Sequence, residues 1–209
     1  MVALALQRVF SERVLVYRRP VAVAEVDTLE ALMARVQAGE RAAFEQLYAR
    51  LGGRVLGFLR AMARDPQLAE DLTQTTFLKV FRARETWRRG APVEPWVFAI
   101  ARHAWLDHLR RTRRRPERVT DDGRVPEASD DALGAEGFDR LDADSLAALE
   151  RGIAALPEAH REALLLLKVE GLSVHEAAAV AGVSPGNLKV RAHRAYEALR
   201  KVLKRGGAS

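Results

Sequence analysis

The sequence predicts an all-α protein: two small helical domains joined by a flexible acidic linker, with a helix-turn-helix in the C-terminal domain. Three observations carry that expectation. Apolar residues recur at helical spacing through most of the 209-residue chain, while the strict alternation of a half-buried strand is hardly visible. The net charge of +6 divides into +9 over residues 1–116, −7 over 117–144 and +4 over 145–209. A capping box, a glycine turn and a helix-opening proline follow one another between Ser173 and Pro185.

Residues 1–26 are read as an N-terminal arm. The first domain is placed at 27–115. Asp27-Thr-Leu-Glu30 has capping-box spacing and starts a helix that ends near Gly39. Phe44, Leu47, Tyr48, Leu51, Val55, Leu56 and Leu59 form the stripe of a second helix over 40–64. Asp65-Pro66 is a cap followed by proline at the first helical position, opening a third helix to about Arg84. A loop with Gly90, Pro92 and Pro95 follows, and Trp96, Ile100, Trp105 and Leu109 mark a fourth helix over about 95–113. The four should pack as one bundle.

The segment 116–144 is rich in Gly, Pro, Ser and Asp, keeps no apolar period and reads as a linker too polar to bury a core. The second domain is placed at 145–205. Ser145 begins a helix with Leu146, Leu149 and Ile153; Pro157 opens the next, with Ala163, Leu164, Leu167 and Val169. Ser173-Val-His-Glu176 caps a short helix to Ala181, and Gly182-Val-Ser-Pro185 turns the chain into a long helix of about 185–204.

Composition also excludes. With no cysteine there are no disulfides, thiol nucleophiles or Cys-ligated metals. No apolar run approaches the roughly 18 residues of a membrane span, and Arg8 and Arg13 interrupt any signal-peptide core, so a cytoplasmic chain without membrane insertion is expected. No nucleotide-binding glycine loop, metal-ligand set or nucleophile–base pattern stands out, so no enzyme, cofactor or metal is expected.

Three stretches look functional. In the last helix, Leu188, Ala192, Ala195 and Leu199 share an inward face; Val190, His193, Arg194 and Glu197 then point away, with Lys189 on the flank and Arg191 reaching out along its stem. Residues 186–205 hold seven Lys/Arg and one acid, the electrostatics of a helix entering a DNA groove. Residues 86–116 hold eight Arg and two acids, and Trp87, Trp96, Trp105 and Phe98 interleave with them. Arginines neutralise phosphates and rings stack on unpaired bases, a combination suited to melted DNA; the same rings at helical spacing also suit a core. The helix 66–84 carries Leu68, Leu72 and Thr76 on one side and Phe77, Leu78 and Phe81 near the other, which means either complete burial or a second, partner-binding face.

AGERAAFEQLYAR (38–50), AEDLTQTTFLKVFRAR (69–84) and PWVFAIARHAWLDHLRR (95–111) resemble region 2 of bacterial RNA polymerase sigma factors of the extracytoplasmic-function (ECF) group, and LPEAHREALLLLKVEGLSVHEAAAVAGVSPGNLKVRAHRAYEALR (156–200) resembles their region 4. The resemblance implies an initiation factor that binds core RNA polymerase, directs it to specific promoters and promotes melting. It assigns Asp71, Leu72, Gln74, Phe77, Leu78 and Phe81 to docking on the polymerase clamp helices. It assigns Trp87, Arg88, Arg89, Arg102, His103, Asp107 and Arg110 to the melted minus-ten element, the loop from Trp87 to Glu94 holding a flipped base. Ser184, Asn187, Lys189, Val190, Arg191, His193 and Arg194 fall to the minus-thirty-five duplex. The acidic linker would thread toward the polymerase active centre as an RNA mimic, and an anti-sigma partner is typical of the group, though no residue here demands one. The sequence departs from the group at Thr75, where Glu is usual, at His103, often Asn, and at Gly186-Asn-Leu-Lys-Val-Arg191, where Val190 replaces a hydroxyl.

Overall fold

A computed structural model of the chain describes residues 27–112 and 143–206, with side chains from 147 to 203 in the second stretch. The arm and nearly all of the acidic linker lie outside the described residues. The described residues form eight α-helices and no strand, in two compact units.

The first unit contains α1 (Leu29–Gln37), α2 (Arg41–Ala63), α3 (Pro66–Arg82), a 3-10 turn (Arg84–Thr86) and α4 (Val93–Thr112). The cap of α1 is Thr28 rather than Asp27: its hydroxyl accepts from Ala31 N at 3.1 Å. Asp27 instead pairs with Arg35, and Glu30 reaches across to Val93 N at 3.3 Å, so no reciprocal box forms. Asp65 caps α3 as expected, accepting from Gln67 N at 3.0 Å and Leu68 N at 3.2 Å. Leu47, Leu51, Val55, Phe58 and Leu59 of α2 are buried with Val80 of α3 and Val97 and Phe98 of α4. Phe58 meets Phe98 edge to face at 5.6 Å. Thr73 and Thr76 sit in this core because each hydroxyl donates to the carbonyl four residues back, at 2.7 Å, which satisfies its one hydrogen.

The second unit contains α5 (Ala143–Ala155), α6 (Glu158–Leu164), a π turn (Leu165–Val169), α7 (Val174–Ala181) and α8 (Pro185–Gly206). Leu149, Ile153, Leu156, Leu164, Ala195, Tyr196 and Leu199 form one buried cluster. The sequence pattern continued α6 as one helix through Val169, but the chain changes to π geometry at Leu165. Buried Arg161 donates to Ala154 O at 3.2 Å and Leu156 O at 3.3 Å, closing the carbonyl end of α5. The capping box of α7 forms in both directions, Glu176 N to Ser173 Oγ at 3.3 Å and Ser173 N to Glu176 Oε2 at 2.9 Å. Gly182 takes φ of 66°, the left-handed conformation that the turn into α8 needs. Ser184 caps α8 through Asn187 N at 3.2 Å.

Candidate functional site

The outer side of α3 is a continuous stripe. Asp71, Gln74, Leu78 and Phe81 are all exposed, at helical intervals of three, four and three. Leu78 is 50% and Phe81 42% exposed, the two exposed large hydrophobic residues among those described. Phe81 leans on Phe44, ring centres 5.3 Å apart, and lies under the Arg84 guanidinium at 4.6 Å. Arg84 also donates to Phe81 O at 2.9 Å.

Two residues expected on this surface are not there. Leu72 is buried, and Phe77 is only 3% exposed, its ring 4.6 Å from that of Tyr48. At 100° per residue Leu72 and Phe77 stand about 140° apart, the two edges of one wide buried arc. Ala69, Thr73, Thr76 and Val80 fill that arc between them. The apparent two faces of the sequence pattern were therefore one broad core face plus a narrower outer stripe.

The second patch follows α3. Arg88, Arg89 and Gly90 are exposed, and Gly90 has φ of 83°. Trp87, expected to meet DNA, is 4% exposed: the aromatic pattern here was a core signal. Trp105 is buried too and stacks on His108 at 6.0 Å. Trp96 and Ile100 are only half-buried, while Val93, Val97, Phe98 and Ala101 take the inner face of α4. His103 and Arg110 are exposed and Arg102 half-buried. Asp107 lies on the same face, but its carboxylate accepts from Lys79 Nζ at 2.8 Å and from Arg110. Those bonds, Lys79 first, hold its pKa below the ordinary carboxylate range against the opposing effect of burial. Asp107 therefore organises two cations rather than standing open to a base. Beside it an open cavity of about 380 Å³ is lined by Lys79, Arg82, Ala83, Ile100 and His103. Lys79 and Arg82 were not among the residues singled out from sequence; their signal is tertiary, since only packing of α3 on α4 brings them to His103.

The loop of this patch is tied to α1. Gln37 Nε2 donates to Arg84 O at 2.9 Å and to Trp87 O at 2.8 Å. Arg89 Nε donates to Gln37 Oε1 at 3.3 Å. Nothing in the local sequence marks Gln37.

The third patch is α8. Ser184 and Arg194 are exposed, and Asn187, Lys189, Arg191 and His193 are half-buried. Val190, expected to point out, is 7% exposed. Asn187, His193 and Arg194 surround it at i−3, i+3 and i+4, all longer than its two methyls. Tyr196, which the pattern did not place inside, joins the core cluster. Among the described residues no group of three or more His, Asp or Glu could hold a metal ion, and no helix is long and apolar enough to cross a membrane.

A short capped helix, a glycine turn and a cationic second helix define a DNA-binding protein of helix-turn-helix type. Comparison with known proteins narrows this. The Sigma-70 region 2 family model matches residues 47–115, and the Sigma-70 region 4 model matches residues 146–199. The RNA polymerase sigma factor CarQ of Myxococcus xanthus is 41% identical over 177 residues, covering 82% of this chain and 95% of CarQ. The ECF RNA polymerase sigma factor SigF of Caulobacter vibrioides is 37% identical over 178 residues, covering 85% and 94%. Among solved structures, the sigma factor RpoE bound to the anti-sigma factor NepR, from Bartonella quintana, superposes with a TM-score of 0.57 at 26% identity, covering 77% of this chain and 96% of that one. CnrH, in complex with the cytosolic domain of CnrY, shares the fold with a TM-score of 0.62 at 24% identity, covering 86% and 99%. The chain belongs to the ECF family of RNA polymerase sigma factors. Sigma factors are transcription initiation factors rather than enzymes, and they bind core RNA polymerase and recognise promoters.

Proposed function

We propose that the chain docks on the polymerase clamp helices through Asp71, Gln74, Leu78 and Phe81, captures a melted minus-ten element with the first unit, and reads a minus-thirty-five duplex with α8. The observation that carries this reading is the outer stripe of α3: two large apolar side chains stay in solvent on a helix whose inner arc is already a complete core. Residues 27–115 serve as region 2, 145–205 as region 4 and 116–144 as the tether between them.

Arg88, Arg89, Arg102, His103 and Arg110 supply cations and donors for the opened strand. Melting needs no chemistry: bases held outside the stack offset an unpairing cost of a few kcal/mol. On α8, Asn187, Lys189, Arg191, His193 and Arg194 carry the polar contacts, and Ser184 sits at the helix start beside the phosphates. Val190, buried beneath these side chains, takes no part in the contact. The protein works in the cytoplasm, where the polymerase is. The RpoE–NepR complex supports an anti-sigma factor as the regulator of this chain as well.

In vitro transcription with purified core polymerase, this chain and a randomised promoter library tests the reading. Transcripts should start downstream of a recurrent two-part element, with permanganate-reactive thymines at its downstream part. Folded protein that supports initiation on no template would refute it.

A further inference from the structure

We propose that Gln37 is a positioning residue for promoter opening: its carboxamide fixes the shape of the 84–93 loop without touching DNA. The inference rests on the reading of that loop as part of the minus-ten site. Both amide hydrogens of Gln37 are used, on Arg84 O and Trp87 O, and its oxygen accepts from Arg89. The partners fix the orientation of the amide. Flipped, Oε1 would face two carbonyls and the NH2 a guanidinium.

Glu30 holds the other end of the loop, accepting from Val93 N, the first residue of α4. A carboxylate there also suits the positive end of the helix. One short helix thus grips the loop at residues 84, 87, 89 and 93. Between these ties the chain has little to hold it. Residues 88 to 90 and Pro92 are exposed, and the turn closes through one backbone bond, Ala91 N to Arg88 O at 3.0 Å. A loop that must receive an unstacked base binds best when its shape is already set, because each freedom left in it is lost again at capture. Gln37 removes that freedom in advance. It also aims Arg89, one of the exposed cations of the patch.

Holoenzyme from core polymerase and the full chain is compared with Gln37→Met, Gln37→Glu and Gln37→Lys, on a promoter selected by the unaltered protein from a randomised library. Met keeps the length without polar hydrogens, Glu replaces both donors by acceptors, and Lys restores donation to the two carbonyls. Opening, followed by permanganate reactivity, should slow about tenfold for Met, the effect of two part-buried hydrogen bonds. It should slow further for Glu, and recover substantially for Lys. Base preference should relax at the downstream element and not at the upstream one. Opening by Gln37→Met at the unaltered rate overturns the proposal, as does a loss that tracks core binding and thermal midpoint across all three variants. If the unaltered holoenzyme opens no promoter, the reading of the loop fails, and the proposal falls with it.

Discussion

Phe77 and Phe81 lie one turn apart on α3, one buried and one exposed, and the proposed function gives them opposite duties. Phe77 is 3% exposed and packs on Tyr48. Truncating so buried a ring to alanine costs about 3–5 kcal/mol, with the cavity included. At about 4–8 °C per kcal/mol for a unit of this size, the midpoint should fall by about 12 °C or more. Leu78 is half exposed, so Leu78→Ala forfeits about 1 kcal/mol of burial. The higher helix propensity of alanine returns a few tenths of that. Phe81→Ala loses part of its burial, an edge contact with Phe44 and the Arg84 guanidinium, together about 1–2 kcal/mol. Against polymerase the order reverses. Two central apolar anchors contribute about 2–4 kcal/mol, so Leu78→Ala with Phe81→Ala should weaken core binding roughly 30- to 800-fold. Circular dichroism melts give stability, and competition against a fluorescent sigma factor for core polymerase gives affinity. Unchanged affinity of the folded double variant would refute docking through this stripe. An unchanged midpoint for Phe77→Ala would refute its place in the core.

Ser173→Ala removes one half of the capping box on α7 and should cost the second unit about 0.5–2 kcal/mol, read in urea melts. Asp107→Asn tests an acid-labile tie between α3 and α4. The folded pKa of Asp107 lies below its unfolded value, so its stabilisation is fully present above about pH 4 and is lost as pH falls through the folded pKa. Glu40, whose carboxyl the Arg35 guanidinium holds low, behaves alike. Asp107→Asn should therefore lower stability above about pH 4, more at low salt than at high, and flatten the fall in stability below that pH; an identical curve would exclude the tie. Arg194→Ala should lower use of the upstream element by about 1–3 kcal/mol if it reaches a base, or reduce the salt slope by about one if it reaches a phosphate. A selection assay with unchanged preference and salt dependence would remove it from the interface.

What could be read from the sequence is what short-range chemistry decides. Asp65-Pro66, Ser173 with Glu176, Gly182 and Ser184-Pro185 each act within four residues, and each forms as the spacing predicts. Asp27 failed as a cap because a distant requirement won. Arg35 takes its carboxylate and Arg50 its carbonyl, leaving Thr28 to cap. The apolar stripes failed in another way. A helix packed by neighbours on two sides buries an arc wider than one stripe, so Phe77 and Tyr196 went inside. Threonines could join such an arc because their own helix satisfies them. Lys79, Arg82 and Gln37 gained their places only when separate helices met.

The tryptophans carry this furthest. Three rings among eight arginines read equally as stacking platforms or as a core, and two of the three are buried. On the proposed function that burial is useful. A base flipped from the duplex needs a receiving loop that does not yield, yet residues 88–92 have no regular structure of their own. Trp87 at one end of the loop is sunk in the bundle, and Trp105 anchors the helix that follows it. Gln37 and Glu30 then tie down the backbone between. Affinity for the strand falls to the arginines, whose charges act at the surface, and to the exposed imidazole of His103. The rings contribute rigidity: replacing Trp87 by leucine should loosen base preference at the downstream element even though no base reaches that side chain, and selection with the variant holoenzyme would show whether it does.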